Sequence, residues 1–370
     1  MEILSETEIA QDWIAQFDEE DKGTAKLILD SLIYVSNKDL HIGLSKLLKE
    51  YIDKHQNEYI ALFAVKEVVD DTSYWEDGRE QLSVTGRDGI GSEADISYFC
   101  RDISKTERYL LNHPSINIMR ERKCRHIICL NDIIGSGEQV RKFCNWLYNH
   151  KTIKSWVSSK YIDINICSYA GTDYGFRKLK KNKIISEILI NQYIDYGISF
   201  WSQEERQKIE NICYKYSIYT TREYFPLGYK NMFTFLYFDH KCPNTSPAIL
   251  WAPSSKKWRS MFPTRPEIII ESNNYLLKRL VVKKILNYYN LTKSILFSHF
   301  SQDSKIMVLI LNCFLQKRNK SNINRIISVM LGMPITTINK YIEKLSDMKL
   351  IDVNNKVTKM GKSLIRSAKK

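Results

Sequence analysis

Residues 127 to 139, IICLNDIIGSGEQ, combine an apolar run, an acidic side chain and a glycine-rich turn. The run from His126 to Leu130 is nearly all apolar, as expected of a parallel strand that is covered on both faces. Asp132 follows at the carboxyl end of this predicted strand, and the turn at 135 to 137 can direct backbone N–H groups towards an anion. Open α/β sheets bind ligands at such an edge, so the pattern predicts a ligand site.

An amphipathic helix is predicted directly after the turn, because its apolar residues recur at helical spacing. They are Val140, Phe143, Cys144 and Leu147. The sequence contains no Walker A run, and the turn lacks the third glycine of a dinucleotide fingerprint, so these two nucleotide-binding motifs fit worse. The other interpretation is a plain strand–loop–helix corner that is capped by Ser136.

The polar pair after the strand and the loop that follows it resemble the ribose-phosphate-binding motif of type I phosphoribosyltransferases, in which two acidic residues precede a short loop rich in Thr and Gly. The resemblance implies that Asp132 and Asn131 form the catalytic pair, holding ribose hydroxyls or a metal. It also implies a bound 5′-phosphate, with Mg²⁺ as the cofactor that accompanies a phosphorylated ribose. The residues that would bind ribose or phosphate in the loop are Gly135, Ser136, Gly137 and Gln139.

Glu138 and Gln139 depart from the family pattern, which usually has Gly and Thr at these positions. A carboxylate in the first helical turn is favoured by the helix dipole, but it repels a phosphate dianion. These two substitutions fit either a protein that acts on a different substrate or one that no longer binds a substrate. The sequence therefore leaves enzymatic activity open; an active protein would be a glycosyltransferase or a nucleotide-degrading enzyme.

A second segment with glycine and serine, RDGIGSEADISYF at 87 to 99, precedes another helical pattern. In type I phosphoribosyltransferases a loop after an early strand contacts the pyrophosphate, and by resemblance Ser92 and Glu93 are assigned to that role. The alternative is that Ser92 or Asp88 caps a helix, since these residue types are the preferred caps.

Positive charge is concentrated at one end of the chain. The 370 residues include 55 Lys and Arg against 42 Asp and Glu, a net charge of +13. Residues 301 to 370 contain 14 basic and 4 acidic residues, which gives 14 − 4 = +10 for this end alone. Such an imbalance indicates a polyanionic partner such as nucleic acid, although a solvated basic face is also common.

Cysteine and histidine usage indicates a reducing compartment. The eight cysteines include no Cys-x-x-Cys pair, and the seven histidines show no ligand spacing. We therefore expect reduced cysteines in a cytoplasmic protein, and we predict no structural zinc site and assign no dedicated metal ligands. No apolar run approaches membrane-spanning length, so no membrane partner is expected.

The patterning predicts an α/β fold of the type I phosphoribosyltransferase kind, a parallel sheet flanked by helices. An N-terminal helical segment covers 1–55, and the α/β domain covers 56–275. A second buried strand at 161–167 follows the motif helix, which implies a right-handed βαβ unit. A linker helix is predicted at 276–300.

The segment 225–265 within the α/β domain is rich in proline and aromatic residues. One interpretation is a long loop, pinned by its aromatic side chains, that covers the edge of the sheet. The other is a lid that touches the ligand. The residues that would then make the contact are Asn244, Thr245, Trp251 and Arg265.

Residues 301–370 are predicted to form a winged helix-turn-helix domain: three helices followed by a short hairpin turning at Asn354 and Asn355. If the domain binds DNA, the helix from Ile335 to Leu345 would enter the major groove and a lysine of the wing would reach phosphate. The assigned residues are Thr337, Asn339, Lys340, Tyr341, Lys344 and Lys356. Winged helices also bind proteins, but the basic charge favours nucleic acid.

Four features in the same order resemble the phosphoribosyltransferase-like proteins of prokaryotic antiviral systems, some of which are retron effectors encoded beside a reverse transcriptase. They are an N-terminal helical pair with a tryptophan, GSEA at 91 to 94, LNDIIGSGEQ at 130 to 139, and the series LGYKN, PNTSPAILW and FPTR between 227 and 265. The resemblance implies a toxin-like effector that acts on or binds a nucleotide or ribose-phosphate compound. Its partners would be DNA or a DNA–RNA hybrid molecule and a reverse transcriptase.

A function of another class is also compatible with these parts. A catalytically inactive phosphoribosyltransferase-like domain could sense a nucleotide while the winged helix binds an operator, as in a transcription regulator. A purely structural adaptor is the third possibility, and it would be insensitive to changes at Asp132.

Overall fold

The computed structural model describes residues 4–68, 74–75, 92–194, 202–263, 286, 291, 301–316, 323–331 and 333–369. Its strands are β1 Ile33–Val35, β2 Ile60–Ala64, β3 Leu110–Asn112, β4 His126–Ile134, β5 Asp163–Gly171, β6 Ile185–Tyr193 and β7 Leu236–Phe238. The first ten helices are α1 Glu8–Ile14, α2 Lys22–Asp30, α3 Asn37–Lys54, α4 Ser92–Thr106, α5 Ile116–Glu121, α6 Glu138–Tyr148, α7 Lys151–Ser158, α8 Asp173–Lys180, α9 Gln203–Ser217 and α10 Ala248–Trp251. The last four are α11 Gln302–Gln316, α12 Ile323–Leu331, α13 Ile335–Asp347 and α14 Lys359–Lys369.

Five strands form one parallel sheet in the order β3-β2-β4-β5-β6. This confirms the predicted α/β fold with a parallel sheet. The strand order reverses between β2 and β4, and such a switch point opens a crevice at the carboxyl edge of the sheet. β4 continues to Ile134 rather than ending at Leu130, because Asn131 and Ile133 still pair with β5.

Helices cover both faces of this sheet, which explains why its central strands are apolar on both sides. On one face α6 and α7 contribute Phe143, Leu147 and Ile153 to the core. On the other face α3 and α4 contribute Leu44 and Phe99. The carboxyl edge of the sheet is thereby held rigidly between two packed layers.

The N-terminal segment is not entirely helical. Ile33, Tyr34 and Val35 form β1, which pairs in parallel with β7 of the proline- and tryptophan-rich segment. β-Branched and aromatic residues favour a strand, and the partner strand lies some 200 residues away in the chain, so helical spacing alone gave the wrong structure here.

Aromatic packing joins the N-terminal helices to the segment 225–263. Trp13 and Phe17 of α1 and the turn after it pack on Trp258, with ring centroids 6.1 and 5.1 Å apart, and Tyr216 of α9 completes the cluster. The indole N–H groups of both tryptophans donate to the carbonyl of Ile249. This packing fixes the segment to the N-terminal helices and to α9.

The C-terminal helices α11 to α14 share a separate core, which includes Leu309, Ile327 and Leu345. Between α13 and α14 the chain makes an antiparallel bridge from Ile351 to Val357. The predicted linker helix at 276–300 lies outside the described residues except for two leucines, Leu286 and Leu291, which belong to this core.

All eight cysteines are buried and free of disulfide bonds. Within the described residues, none of the helices has the length and apolar composition needed to cross a bilayer.

Candidate functional site

A cavity of about 600 Å³ opens at the carboxyl edge of the sheet, at the switch point between β2 and β4. This volume is typical of a small-molecule site. Residues after β2, the end of β4, the first turns of α6 and the segment 225–263 all line it. Predicted site residues among them are Glu93, Asp132, Gly135, Ser136, Gly137 and Gln139, together with Asn244, Thr245 and Trp251 of the alternative lid.

The loop from 135 to 137 turns β4 into α6. Gly137 caps the helix with φ of 75°, a left-handed conformation that glycine adopts without strain. Gly135 has a different reason to be glycine, because a Cβ there would overlap the Cγ2 of Thr245. The loop N–H groups and the positive end of the α6 dipole therefore meet at the cavity, as in anion sites at helix N-termini.

The loop is held from behind by the start of α8. Thr172 donates a hydrogen bond of 2.6 Å from its hydroxyl to the carbonyl of Gly135. The same hydroxyl accepts one of 2.9 Å from the N–H of Gly175. One side chain thus caps α8 and fixes the conformation of the loop.

The charge of Glu138 is neutralised by its neighbours. Its carboxylate accepts from Lys178 at 3.0 Å, from Lys230 at 2.5 Å and from the Tyr229 hydroxyl at 2.8 Å. These bonds, foremost that from Lys230, lower the pKa of Glu138 to about 2. Two lysines against one carboxylate leave a local charge of about +1, so the repulsion of phosphate that the sequence suggested is offset.

Asp132 is buried and pairs with His240, whose Nε2 lies 3.0 Å from Asp132 Oδ2. Asp132 Oδ1 accepts from the N–H of Ile133 at 2.7 Å. Burial alone raises the pKa of the Asp132 carboxyl, but the hydrogen bond from His240 and the charge of Lys241 outweigh it, so the pKa lies below its ordinary value. The carboxylate is ionised at neutral pH and accepts the proton of His240 Nε2.

His240 was not singled out from the sequence. It stands between the aromatic run 233–238 and the proline-containing stretch from 243, in the segment where the resemblance is most specific. Its imidazole stacks on Phe238 with ring centroids 4.9 Å apart, and Nδ1 faces the Asp95 carboxylate at 3.6 Å. The only available signal was its place in that series.

The other predicted site residues behave differently from one another. The amide of Asn131 donates to the carbonyl of Ile133 at 2.5 Å, which engages one of its two N–H donors within the strand. Glu93 accepts from the N–H of Glu67 at 2.8 Å and from Gln139 at 3.4 Å, and so bridges the loop after β2 to the start of α6. Ser92 is the first residue of α4, and the loop 87–91 that precedes it lies outside the described residues.

The segment 225–263 contributes one wall of the cavity, which agrees with both interpretations of it. Asn244, Thr245 and Trp251 line the cavity, as does Lys241, while Arg265 lies outside the described residues. Trp251 donates its indole N–H to the carbonyl of Ser246 at 2.7 Å. The segment is therefore held in place by its own hydrogen bonds and also lines the cavity in which a ligand would bind.

The residues assigned to nucleic acid are spread over α13 and the turn after it. Lys340, Lys344 and Lys356 are exposed, whereas the remaining three, Thr337, Asn339 and Tyr341, are half-buried. Asn339 accepts from Asn324 at 2.9 Å, and Tyr341 donates to Asp303 at 2.7 Å. The lysines thus remain available for contacts, and two of the others make bonds within the domain.

A parallel sheet with a phosphate-sized loop and an ionised aspartate at its switch point defines a phosphoribosyltransferase-like domain. The family model PRTase-CE matches residues 10–264, and the chain belongs to this family. The match covers the N-terminal helices, the main sheet and the segment that supplies His240. Comparisons with curated proteins and with solved structures gave no significant match.

Proposed function

We propose that the cavity binds the ribose 5-phosphate part of a nucleotide-type compound. The phosphate would accept hydrogen bonds from the backbone N–H groups of residues 135–137 and of the first turn of α6. The ribose hydroxyls would donate hydrogen bonds to Asp132. The observation that carries the proposal is the left-handed Gly137 cap, which opens the N-terminus of α6 into the cavity beside the Asp132 carboxylate. Each oxygen of Asp132 keeps a second lone pair for a ligand hydroxyl.

The side chains around the cavity also suit Mg²⁺ that accompanies a phosphorylated ribose. Asp132 and Glu93 both line the cavity and offer carboxylate oxygens, the ligand type that Mg²⁺ prefers. Mg²⁺ is commonly held by one or two carboxylates together with phosphates of the substrate, and it would neutralise phosphate charge there. Lys142 and Lys241 add positive charge at the same cavity.

The wider role that we propose is that of a toxin-like antiviral effector. The protein would bind or consume a nucleotide at the cavity, and its C-terminal domain would bind nucleic acid as a winged helix. The three helices α11 to α13, the antiparallel bridge that follows them and the exposed Lys340, Lys344 and Lys356 support that use of the domain. A DNA or DNA–RNA hybrid molecule, produced by a reverse transcriptase in a retron complex, would act as sensor or restraint.

Ligand binding is tested by calorimetric titration of the full-length protein with ribose 5-phosphate, its 1-pyrophosphate derivative and AMP, each with and without Mg²⁺. We expect saturable binding by at least one of them and at least a tenfold loss in Asp132→Asn, which removes the charge but keeps the shape. Asp53→Asn, at an exposed position of α3, is the matched control and should bind normally. Equal binding of free ribose or of Asp132→Asn would contradict the proposed site.

The effector role is tested by inducing this chain alone in a bacterial host, with wild type and Asp132→Ala at matched soluble levels. Growth arrest by the wild type that disappears in the variant supports a toxic activity at this site, and metabolite profiling would then identify the nucleotide consumed. Normal growth in both strains would contradict a free-acting effector and favour the nucleotide-sensing regulator.

A further inference from the structure

A second group of polar side chains lies at the amino edge of the main sheet, opposite the cavity. His55 ends α3, Glu58 lies in the turn before β2, and His126 is the first residue of β4. One ligand atom of each lies within 4.8 Å of the other two. His126 and Asp132 are six residues apart on the same strand, so this group is about 20 Å from the cavity.

One carboxylate oxygen of Glu58 is close to both imidazoles. His126 Nε2 lies 2.8 Å and His55 Nδ1 lies 3.3 Å from the same oxygen, Oε2 of Glu58. Ligands at about 2.0–2.1 Å from a tetrahedral metal are separated by about 3.3 Å, so the group needs only small adjustments to enclose one. Two imidazoles and a carboxylate are also the protein ligands of open zinc sites, in which the fourth position is left to water.

Asp163 contacts the second ring nitrogen of His126, as a carboxylate often does behind a histidine that binds a metal. Its Oδ1 lies 2.9 Å from His126 Nδ1, which also has the Tyr51 hydroxyl at 3.0 Å, so a proton on Nδ1 can bond to Asp163 and leave the Nε2 lone pair for a metal. Asp163 is itself fixed by Asn165, whose amide donates to Oδ1 at 2.6 Å. Carboxylates that accept the second N–H of a ligating histidine orient the ring and strengthen the metal bond.

We propose that His55, Glu58 and His126 bind one Zn²⁺ ion, with Asp163 as the carboxylate that positions His126. The charge balances, since a dication faces the carboxylates of Glu58 and Asp163. His55 and Glu58 have side chains that are 30% and 40% exposed, whereas that of His126 is 7% exposed, so the ion would enter from solvent and sit at the surface of the sheet edge. The ion would tie the end of α3 and the turn before β2 to the start of β4.

The histidine spacing in sequence did not indicate this site, because His55 and His126 come from separate elements that only the sheet brings together. In the absence of metal, the same groups form a hydrogen-bonded network in which His126 lies between the carboxylates of Glu58 and Asp163. Burial lowers the pKa of His126, but the hydrogen bonds with Asp163 and Glu58 outweigh it and leave the pKa raised. The metal-free network and the proposed metal site differ in whether added Zn²⁺ binds, so a titration with Zn²⁺ distinguishes them.

The test uses the full-length protein without a polyhistidine tag, stripped with chelator and titrated with Zn²⁺ against a chromogenic chelator. We expect one Zn²⁺ per chain, and with Co²⁺ the visible absorption bands of a low-coordinate site. His55→Asn and Glu58→Gln change partly exposed ligands and should fold, as circular dichroism would verify, yet bind at least tenfold more weakly. Asp163→Asn should lower the affinity about 10–100-fold.

His150→Asn is the matched control, because His150 caps the start of α7 and is not one of the proposed ligands, and this variant should bind like wild type. Absence of saturable one-to-one binding would overturn the proposal. Undiminished affinity in both His55→Asn and Glu58→Gln would overturn it as well, since the ion would then sit elsewhere. None of these readouts depends on the ligand of the cavity.

Discussion

His240 Nε2 lies 3.0 Å from Asp132 Oδ2, and both side chains are buried although they are 108 residues apart in sequence. The pair joins the end of β4 to the segment 225–263, so the carboxylate at the switch point is held by the same segment that forms one wall of the cavity. The aspartate is therefore oriented before any ligand binds. His240, which is not part of the sequence motif, stabilises its ionised form.

Removing His240 should destabilise the protein through Asp132. In His240→Ala the carboxylate stays buried without its partner, which we expect to lower the free energy of unfolding by about 3 kcal/mol. Asp132→Ala combined with His240→Ala should cost less than the two single changes added together, by about 1–3 kcal/mol. Urea unfolding of the four proteins in this cycle measures the coupling, and strictly additive effects would show that the two residues act independently.

The strand, loop and helix around Asp132 could be predicted from sequence because their signals are local. An apolar run, two glycines and residues at helical spacing lie within about twenty positions, and the structure places Asp132, Ser136 and Gly137 at one cavity as expected. The strand end was predicted four residues early, since Asn131 and Asp132 are polar although the strand continues through them and Asn131 and Ile133 still pair with β5.

Contacts between distant segments could not be predicted in this way. No periodicity relates His240 to Asp132, or Lys178 and Lys230 to Glu138, and these contacts determine the charge of the site. The strand β1 was missed for the same reason, because its partner β7 is far away in the chain. Sequence patterns do not show which distant side chains contact each charged residue in the folded protein.

Glu138 should contribute stability that depends on pH. The carboxyl titrates near 4.5 in the unfolded chain and at a pKa of about 2 in the folded protein, because Lys230, Tyr229 and Lys178 bind its ionised form. A lowered pKa stabilises the fold above the unfolded value, and the effect is lost as the pH falls through the folded one. The difference in free energy of unfolding between wild type and Glu138→Gln should thus be constant above about pH 5.5 and shrink steadily towards pH 2. A difference that is independent of pH in this range would argue against the ion pairs.

The closeness of Gly135 to Thr245 should make the loop intolerant of a methyl group. Gly135→Ala places its Cβ against the Cγ2 of Thr245, and we expect a loss of about 1–3 kcal/mol in the free energy of unfolding together with weaker ligand binding. Thr245→Ser removes the opposing methyl and keeps the hydroxyl, so the double variant should recover part of the loss. Gly23→Ala in α2 meets no atom within 4 Å and should instead stabilise the protein slightly, by about 0.5–1 kcal/mol. Thermal and urea unfolding distinguish these outcomes.

Arg325 of α12 connects the C-terminal helices to the α/β domain. Its guanidinium lies 4.2 Å from the ring centroid of Phe176 and 4.5 Å from that of Tyr193, and it forms an ion pair with Asp173 at the start of α8. Ile335, the first residue of α13, packs against the core of the same domain. The N-terminal end of the helix proposed to read DNA is therefore partly covered by this contact.

Arg325→Ala should loosen this contact and expose α13. We expect faster hydrogen exchange in α12 and α13, and tighter binding of a labelled DNA duplex measured by fluorescence anisotropy, although the variant has lost a positive charge. Arg366→Ala removes the same charge from an exposed position of α14 and should leave exchange in α12 unchanged and DNA binding equal or weaker. If both variants weaken DNA binding equally and neither alters exchange, the contact does not restrain α13, and the domain reaches its nucleic acid from the docked position.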